Sequence, residues 1–568
     1  MKRGDNMPPA GVRPIYLDHA ATTPVDERVA LAMWPWLTEH FGNPASSHGW
    51  GYRARQAVEA ARAHVAALAG APPEGVIFTS GATEAINLAI KGRARFAGDG
   101  RKRIVALATE HQAVLACCRA LQREGYQVTH APLLSTGEID MEAMEHLLDE
   151  RVMLLSVAHV NGELGVIHPV DRLAALCQRH GISCHVDAAQ SLGKLPVDMG
   201  AWGIDYLSFS GHKLHGPKGV GGLVVRRQPG PGLQPLLDGG GQEWGLRGGT
   251  VATHQVVGLG EAARLALAVL HQEPGRLAAC RDRMWSLLDA QPDVMRHGSL
   301  GHTAPHILSV ALLGIDAASL LHAIPQLGCS RGSACADLHG GTSHVMRALG
   351  VAPEVMRATI RLSFGRTTSM EDVEQAGQWL VEALCWLRRR SPRVRQGNEA
   401  LQARAVAQYR PGRLEWQPIA GNEALDAGQE TAIACMDHHF FSDAHAVQAF
   451  APCMAVGEAG SAQEGLVRLG LAVNERAIIT QARYQAEGPP ALLAAASLLA
   501  ERAHGLALDA LISLRGADWH APLGLAREQV CMALLAEEAL FGAWRAAQDA
   551  CLDGTGGHRV ERAAQSRG

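Results

Sequence analysis

The sequence predicts an α/β protein whose larger part is a mostly parallel sheet, doubly wound by helices. Three observations carry this expectation. Short apolar runs at 75–79, 103–108, 152–158, 182–187, 204–209 and 220–226 alternate with helical spacing, the pattern of strands buried on both faces. The turn Thr79-Ser80-Gly81-Ala82-Thr83 carries the chain from a β-rich run straight into a helix. The stretch Ser208-Phe209-Ser210-Gly211-His212-Lys213 places a lysine just past a strand, framed by small residues. Ligands of such sheets bind beyond the carboxyl ends of the strands, and Thr83, Asp187 and Lys213 fall at such ends.

The elements follow in order. Residues 1–13 read as a loose tail, Ile15-Tyr16-Leu17-Asp18 as a short strand and 26–40 as a helix. A loop, Gly42-Asn43-Pro44-Ala45-Ser46-Ser47, precedes an alanine-rich helix over 52–69. Helices are expected at 111–124 and 171–180, the strand 182–187 ends His185-Val186-Asp187, and Gly239-Gly240-Gly241 leads through Arg247-Gly248-Gly249-Thr250 into a helix to about residue 271. Residues 306–365 read as a smaller α/β unit, followed by a helix over 371–389 and an arginine-rich connector near 388–413.

The 568 residues suffice for two to four domains. A net charge of −4 gives no global basic field for nucleic acid. The N-terminus lacks the apolar core of a signal peptide, and the Ala/Leu-rich run 491–500 is stopped by Glu501 and Arg502, so a cytoplasmic, non-membrane protein is expected. The twelve cysteines form no Cys-x-x-Cys pair, and the loose Cys435-Met436-Asp437-His438-His439 is not a metal-ligand spacing; no metal is expected.

A lysine held at a strand end can condense with a carbonyl cofactor, and pyridoxal phosphate is the usual one. The hexapeptide alone is equally that of an ordinary loop lysine. The turn at Gly81, Ala82 and Thr83 fits the phosphate of such a cofactor, because a helix start offers unpaired N–H groups and a small-residue turn permits close approach.

Ten motifs in one order extend the argument: YLDHAATTP, FGNPAS, FTSGATEAINLAI, TEHQAV, HVNGELG, HVDAAQSLGKLP, SFSGHKLHGPKGVG, RGGT, RGSAC and IRLSFGR. Over about residues 15–390 the chain resembles the cysteine desulfurases of the NifS/IscS type, pyridoxal-phosphate enzymes of fold type I. The resemblance implies that Lys213 carries the cofactor and moves the substrate proton, that Asp187 faces the ring nitrogen, and that Gln190 donates to the phenolic oxygen. It implies that His111 stacks on the ring and that Gly81, Ala82, Thr83, Ser210 and His212 hold the phosphate. Thr250 would reach the phosphate of a neighbouring subunit, hence a homodimer. Arg361, assisted by Asn43, would clamp the substrate carboxylate. Cys335 would be the nucleophile that becomes a persulfide, and Cys329 a buried, inert neighbour. The implied reaction converts L-cysteine to L-alanine and hands sulfur to an acceptor protein. Iron–sulfur assembly and tRNA thiolation are both open as destinations, with the first favoured. The other readings are a related pyridoxal-phosphate lyase or aminotransferase, which would need no Cys335, and a non-catalytic regulatory fusion. One departure stands out: Asn161-Gly162-Glu163 replaces the family's Asn-Asn-Glu, which removes a hydrogen bond to the phenolic oxygen worth about 1 kcal/mol. Tuned rather than abolished activity is expected.

Residues 430–550 resemble, more distantly, the IscU/NifU-type iron–sulfur scaffolds, through Met436-Asp437-His438-His439, Leu469-Gly470-Leu471-Ala472-Val473-Asn474, Ile478-Ile479-Thr480-Gln481-Ala482-Arg483-Tyr484, the helix 491–503 and Cys531-Met532-Ala533-Leu534-Leu535. The implied fold is a small antiparallel sheet with helices on one face. The ligand positions are occupied by Gln463, Gly465, Pro489 and Val530, which leaves Cys531 alone, so a degenerate scaffold without a cluster is expected. The expected domains are 14–390 (large part about 14–260, small part about 261–390 with the N-terminal segment), a linker 391–425, and a scaffold-like domain 426–555.

Overall fold

A computed structural model describes residues 13–96, 100–226, 232–299, 301–331 and 343–391, and C-terminally 436, 439–440, 442, 444–447, 449–451, 454–461, 465–474, 476–514, 520–525 and 529–552. Apart from Ser391 the expected linker lies outside the described residues, as do Cys335 and Gln463.

Seven strands form the main sheet, in the spatial order Val76–Thr79, Gly221–Val225, Tyr206–Ser210, Ser183–Asp187, Val152–Ala158, Arg103–Ala106, Gln127–His130. Tyr206–Ser210 and the four strands from Ser183–Asp187 to Gln127–His130 pair in parallel. Gly221–Val225 runs antiparallel to both its neighbours; the connection 211–220 from the strand before it is too short for a parallel crossover. Its glycines permit a tight approach: a Cβ on Gly221 would lie 2.5 Å from the Phe209 carbonyl oxygen and 2.7 Å from the Gly81 Cα. Val152–Ala158 is buried at every position, as its unbroken apolar run implies.

The sequence pattern missed the strands Gln127–His130 and Val294–Arg296, the helices Met141–Leu147 and Glu273–Asp289, and one break. Gln127–His130 is an edge strand, half-exposed and polar, without the apolar run that marks the others. The helix expected over 26–40 is two helices, Glu27–Met33 and Pro35–Thr38, because Pro35 cannot continue the backbone ladder and restarts it at its own first turn.

The smaller unit has an antiparallel sheet in the order Thr359–Ser363, Ile307–Leu312, Val294–Arg296, covered by the mutually packed helices Glu273–Asp289 and Met370–Arg388. The N-terminal strand Ile15–Tyr16 joins it by pairing in parallel with Leu327–Gly328, and Asp18 bridges Ser363. The C-terminal part is a three-stranded antiparallel meander, Ala455–Ser461, Gly465–Val473 and Ile479–Glu487, packed against the helices Pro490–Ala503 and Val530–Leu552. One continuous apolar core joins it to the smaller unit: Phe440 meets His322 edge-on at 4.6 Å and lies 5.7 Å from Trp386.

Candidate functional site

The parallel strands end at one side of the sheet, and there the chain encloses a cavity of about 610 Å³. Its lining includes Gly81, Ala82, Thr83, His111, Asp187, Gln190, Ser210, His212, Lys213 and Arg361, ten of the thirteen residues expected from sequence. Thr250 is exposed and outside this lining. Asn43 is also outside it, in an exposed loop where its Oδ1 accepts from the Ala45 N–H at 2.9 Å.

At one end of the cavity starts the helix Ala82–Arg95. Its cap residue, Gly81, has φ +154° and offers no side-chain acceptor, so the Ala82 and Thr83 N–H groups have no protein partner among the described residues. A Cβ at Gly81 would stand 3.6 Å from the Ser210 hydroxyl. Glu84 anchors this turn, accepting from Ser80 N–H at 2.7 Å and pairing with Arg247 at 3.0 Å. His212 Nδ1 meets Thr22 Oγ1 at 3.1 Å, and burial with the nearby lysines 213, 218 and 194 pulls its pKa down to about 4, so the ring is neutral. Unpaired helix N–H groups, a hydroxyl and Lys218 in the lining together form a set of donors suited to a phosphate.

At the other end Asp187 closes its strand, nine-tenths buried, and its Oδ1 accepts from the Ala189 N–H at 2.9 Å. Glu110 is completely buried beside it. One Glu110 oxygen accepts from Ala158 N–H at 2.7 Å, and the other has no hydrogen-bond partner among the described residues. Burial raises this carboxyl well above the usual range and the Asp187 charge adds to the shift; Asp187 itself stands at the end of its strand. Such a single, strand-end carboxylate suits a protonated ring nitrogen.

His111 caps the helix Gln112–Arg123, its Nδ1 accepting from the Ala113 N–H at 3.1 Å, which leaves the proton on Nε2. Burial and the Lys213 ammonium lower its pKa, with His344 adding to that. Gln190 is fixed by Nε2 donating to the Ala20 carbonyl at 2.8 Å. Asn161, whose Oδ1 accepts from the N–H groups of Glu163 and Leu164 at 2.9 Å, shapes the turn that brings Gly162 to the cavity. Arg361 comes from the smaller unit and donates to Asp18 and to the Gly162 carbonyl. Cys329, expected to be buried, is half-buried; burial of its thiol raises the pKa, with Asp18 adding to the shift.

The sequence reading did not single out Asp18, Glu110, Lys194 or His344. The first three stand inside the quoted motifs YLDHAATTP, TEHQAV and HVDAAQSLGKLP, where their types already mark buried charge. His344 reaches the cavity only because its Nε2 bonds the Glu110 carbonyl at 2.9 Å, which no local pattern reveals.

In the C-terminal part Pro489 caps the helix Pro490–Ala503, and Cys531 is exposed. No group of three histidine, cysteine or acidic side chains able to hold a metal occurs among the described residues.

Known proteins match both parts. The class-V aminotransferase family matches residues 15–376, and the NifU-like N-terminal domain family matches 436–548. The cysteine desulfurases IscS of Serratia proteamaculans and Klebsiella pneumoniae are 45% and 44% identical over 382 residues, which is 67% of this chain and 95% of each of theirs. Among solved structures, a NifS-like protein superposes with TM-score 0.61 at 33% identity, covering 66% of this chain and 99% of its own. DndA from Streptomyces lividans superposes with TM-score 0.53 at 37% identity, covering 60% and 98%. The architecture is thus fold type I of the pyridoxal-phosphate enzymes, and the chain belongs to the class-V aminotransferase family.

Proposed function

We propose that this chain is a cysteine desulfurase, converting L-cysteine to L-alanine and passing the sulfur through a persulfide on Cys335 to an acceptor for iron–sulfur cluster assembly. The observation that carries this is one cavity lined by Lys213, Asp187, Gln190, an uncapped helix start and Arg361 together. The relatives named cysteine desulfurase and the NifU-like family match of the C-terminal part support the reaction and its destination.

Bound pyridoxal phosphate supplies a carbonyl carbon for the substrate amine and an electron sink for the pair left when the α-proton departs. The residues supply the rest. The N–H groups of Gly81, Ala82 and Thr83, the Ser210 hydroxyl and the His212 ring hold the phosphate, with Thr250 serving the cavity of a second copy. Asp187 would keep the ring nitrogen protonated, Gln190 would donate to the phenolic oxygen, and His111 would cover the ring face. Arg361 binds the substrate carboxylate, with Asn43 assisting once a loop or second copy brings it near. Lys213 Nζ takes the α-proton. The Cys335 thiolate attacks the substrate sulfur: the S–S bond forms, the substrate C–S bond breaks, and the carbon keeps the electron pair and gains a proton, which leaves alanine.

The same reading divides the chain into an enzyme over 14–390, a connector 391–425 and a scaffold-like domain 426–555, supported by separate sheets. It makes the enzyme a cytoplasmic homodimer. The dimer is supported by large apolar side chains left in solvent at Leu31, Trp34, Phe41 and Trp50, the last three exposed by 63%, 75% and 63%. No helix among the described residues is long and apolar enough to cross a membrane. The test is incubation of the purified protein with L-cysteine and a thiol reductant: alanine and sulfide are expected, and the absence of both contradicts the reading.

A further inference from the structure

Among the described residues, Lys194 is a buried amine without a carboxylate partner. The residue is 6% exposed, and a hydrogen bond runs from Nζ to Gln190 Oε1 at 3.5 Å. The groups whose charges it feels are all basic. Lys213 and Arg361 act on it, and it acts in turn on the rings of His19, His212, His215 and His306. Burial, with the two cations adding, pulls its pKa down to about 7. An amine in such surroundings destabilises a fold, and an apolar side chain of the same length would sit there at lower cost.

The geometry around Gln190 gives the amine a purpose. The Ala20 carbonyl can only accept, so it fixes Nε2 on its own side at 2.8 Å. Lys194 takes the opposite edge through Oε1. The second Nε2 proton is left without a protein acceptor among the described residues, and Gln190 lines the cavity. On the remaining side stands Gly162, where even a Cβ would come within 3.2 Å of Nε2. No side chain at 162 therefore steers the amide, and the two contacts left to do so are Ala20 and Lys194.

We propose that Lys194 is a positioning residue of the cofactor site, holding the Gln190 amide by its oxygen so that the free Nε2 proton faces the cofactor's phenolic oxygen. The inference rests on the reading of the cavity as a pyridoxal-phosphate site. It makes the buried amine a price in stability for an oriented donor.

Three variants, Lys194→Met, Gln190→Ala and the pair together, test this by titration of each apoprotein with pyridoxal phosphate, read by the position of the bound-cofactor absorbance and by the apparent Kd. Each single variant is expected to raise Kd about fivefold, the worth of one neutral hydrogen bond, and to move the absorbance maximum in the same direction. The double variant is expected to match the single ones, because Lys194 acts only through Gln190. Lys194→Met is further expected to leave the melting temperature of the apoprotein unchanged or higher, which a merely structural lysine would not do. Lys194→Gln keeps a donor at the same site and is expected to recover most of the affinity. A Kd unchanged in Lys194→Met, or a double variant weakened by the product of about 25-fold, overturns the role of Lys194 while leaving the cofactor site standing. A wild-type chain that binds no pyridoxal phosphate overturns both.

Discussion

Arg361 donates through Nη2 to Asp18 Oδ1 at 2.8 Å and through Nη1 to the Gly162 carbonyl at 2.8 Å. Its guanidinium is thus oriented from two sides, by the N-terminal segment and by the turn that carries the family's missing asparagine. Nε is left without a protein acceptor among the described residues. A rigid fork with spare donors, 5% exposed at the side chain, is prepared for a carboxylate before substrate arrives.

A lysine cannot reproduce that fork. Arg361→Lys is expected to raise the KM for L-cysteine by about 10- to 100-fold while the cofactor absorbance stays, since bidentate charged bonds are worth roughly 1.5–3 kcal/mol. Steady-state kinetics check this, and a KM within twofold of wild type counts against the clamp.

Gly162 is the position where the chain leaves its relatives' pattern, and restoring a side chain there is expected to do harm. A Cβ would press to 3.2 Å on Gln190 Nε2, and Gln190 is held by Ala20 and Lys194, so it cannot yield. Gly162→Ala and Gly162→Asn should each weaken pyridoxal phosphate by a few-fold, about 1 kcal/mol. Tighter binding by the Asn variant would show that the amide can move aside.

Much of this site was legible from the chain alone. Asp187, Thr83 and Lys213 stand at strand ends, and a strand end is a local pattern of apolar runs and small residues. Gln127–His130 was invisible because an edge strand buries too little to leave an apolar run. Lys194 and Glu110 stand in the sequence as letters, but only packing shows that, among the described residues, no carboxylate pairs with the first and no protein donor meets one oxygen of the second. Nor could spacing show that Glu487, more than a hundred residues from Arg357, ends up beside it.

That last pair joins the two parts of the chain. Arg357 Nη2 lies 3.3 Å from Glu487 Oε1 with the side chains 8% and 3% exposed, and Ser391 donates to the other Glu487 oxygen at 3.0 Å. Arg357 also lies 3.7 Å from the buried Asp316, so loss of Glu487 leaves the guanidinium one carboxylate, whereas loss of Arg357 takes the cation from two. Arg357→Met is expected to cost about 3–5 kcal/mol of stability in denaturant unfolding, because it takes the cation from both Glu487 and Asp316, and Glu487→Ala about 1–3 kcal/mol. A single variant that loses under about 1 kcal/mol contradicts a dry, charged joint.

The fold also stores acid sensitivity. Burial pulls the rings of His159, His168, His185, His215 and His297 from 6.5 down to about 4. An unfolded chain takes up protons at these rings near pH 6.5, whereas the folded chain refuses them until about 4. Their contribution is therefore complete above 6.5 and drains as the pH falls toward 4. Calorimetry in that window should show a melting temperature that drops steeply, with uptake of several protons on unfolding. A flat profile would mean that these rings are solvated.

The central claim is that one thiol, Cys335, turns a lysine-based proton transfer into sulfur abstraction. It is tested most directly by Cys335→Ser, followed by alanine formation from L-cysteine alongside the cofactor absorbance. The account predicts that alanine is lost while the absorbance of the bound cofactor, held by Lys213 and Asp187, is retained. Alanine produced at the wild-type rate by Cys335→Ser would contradict it.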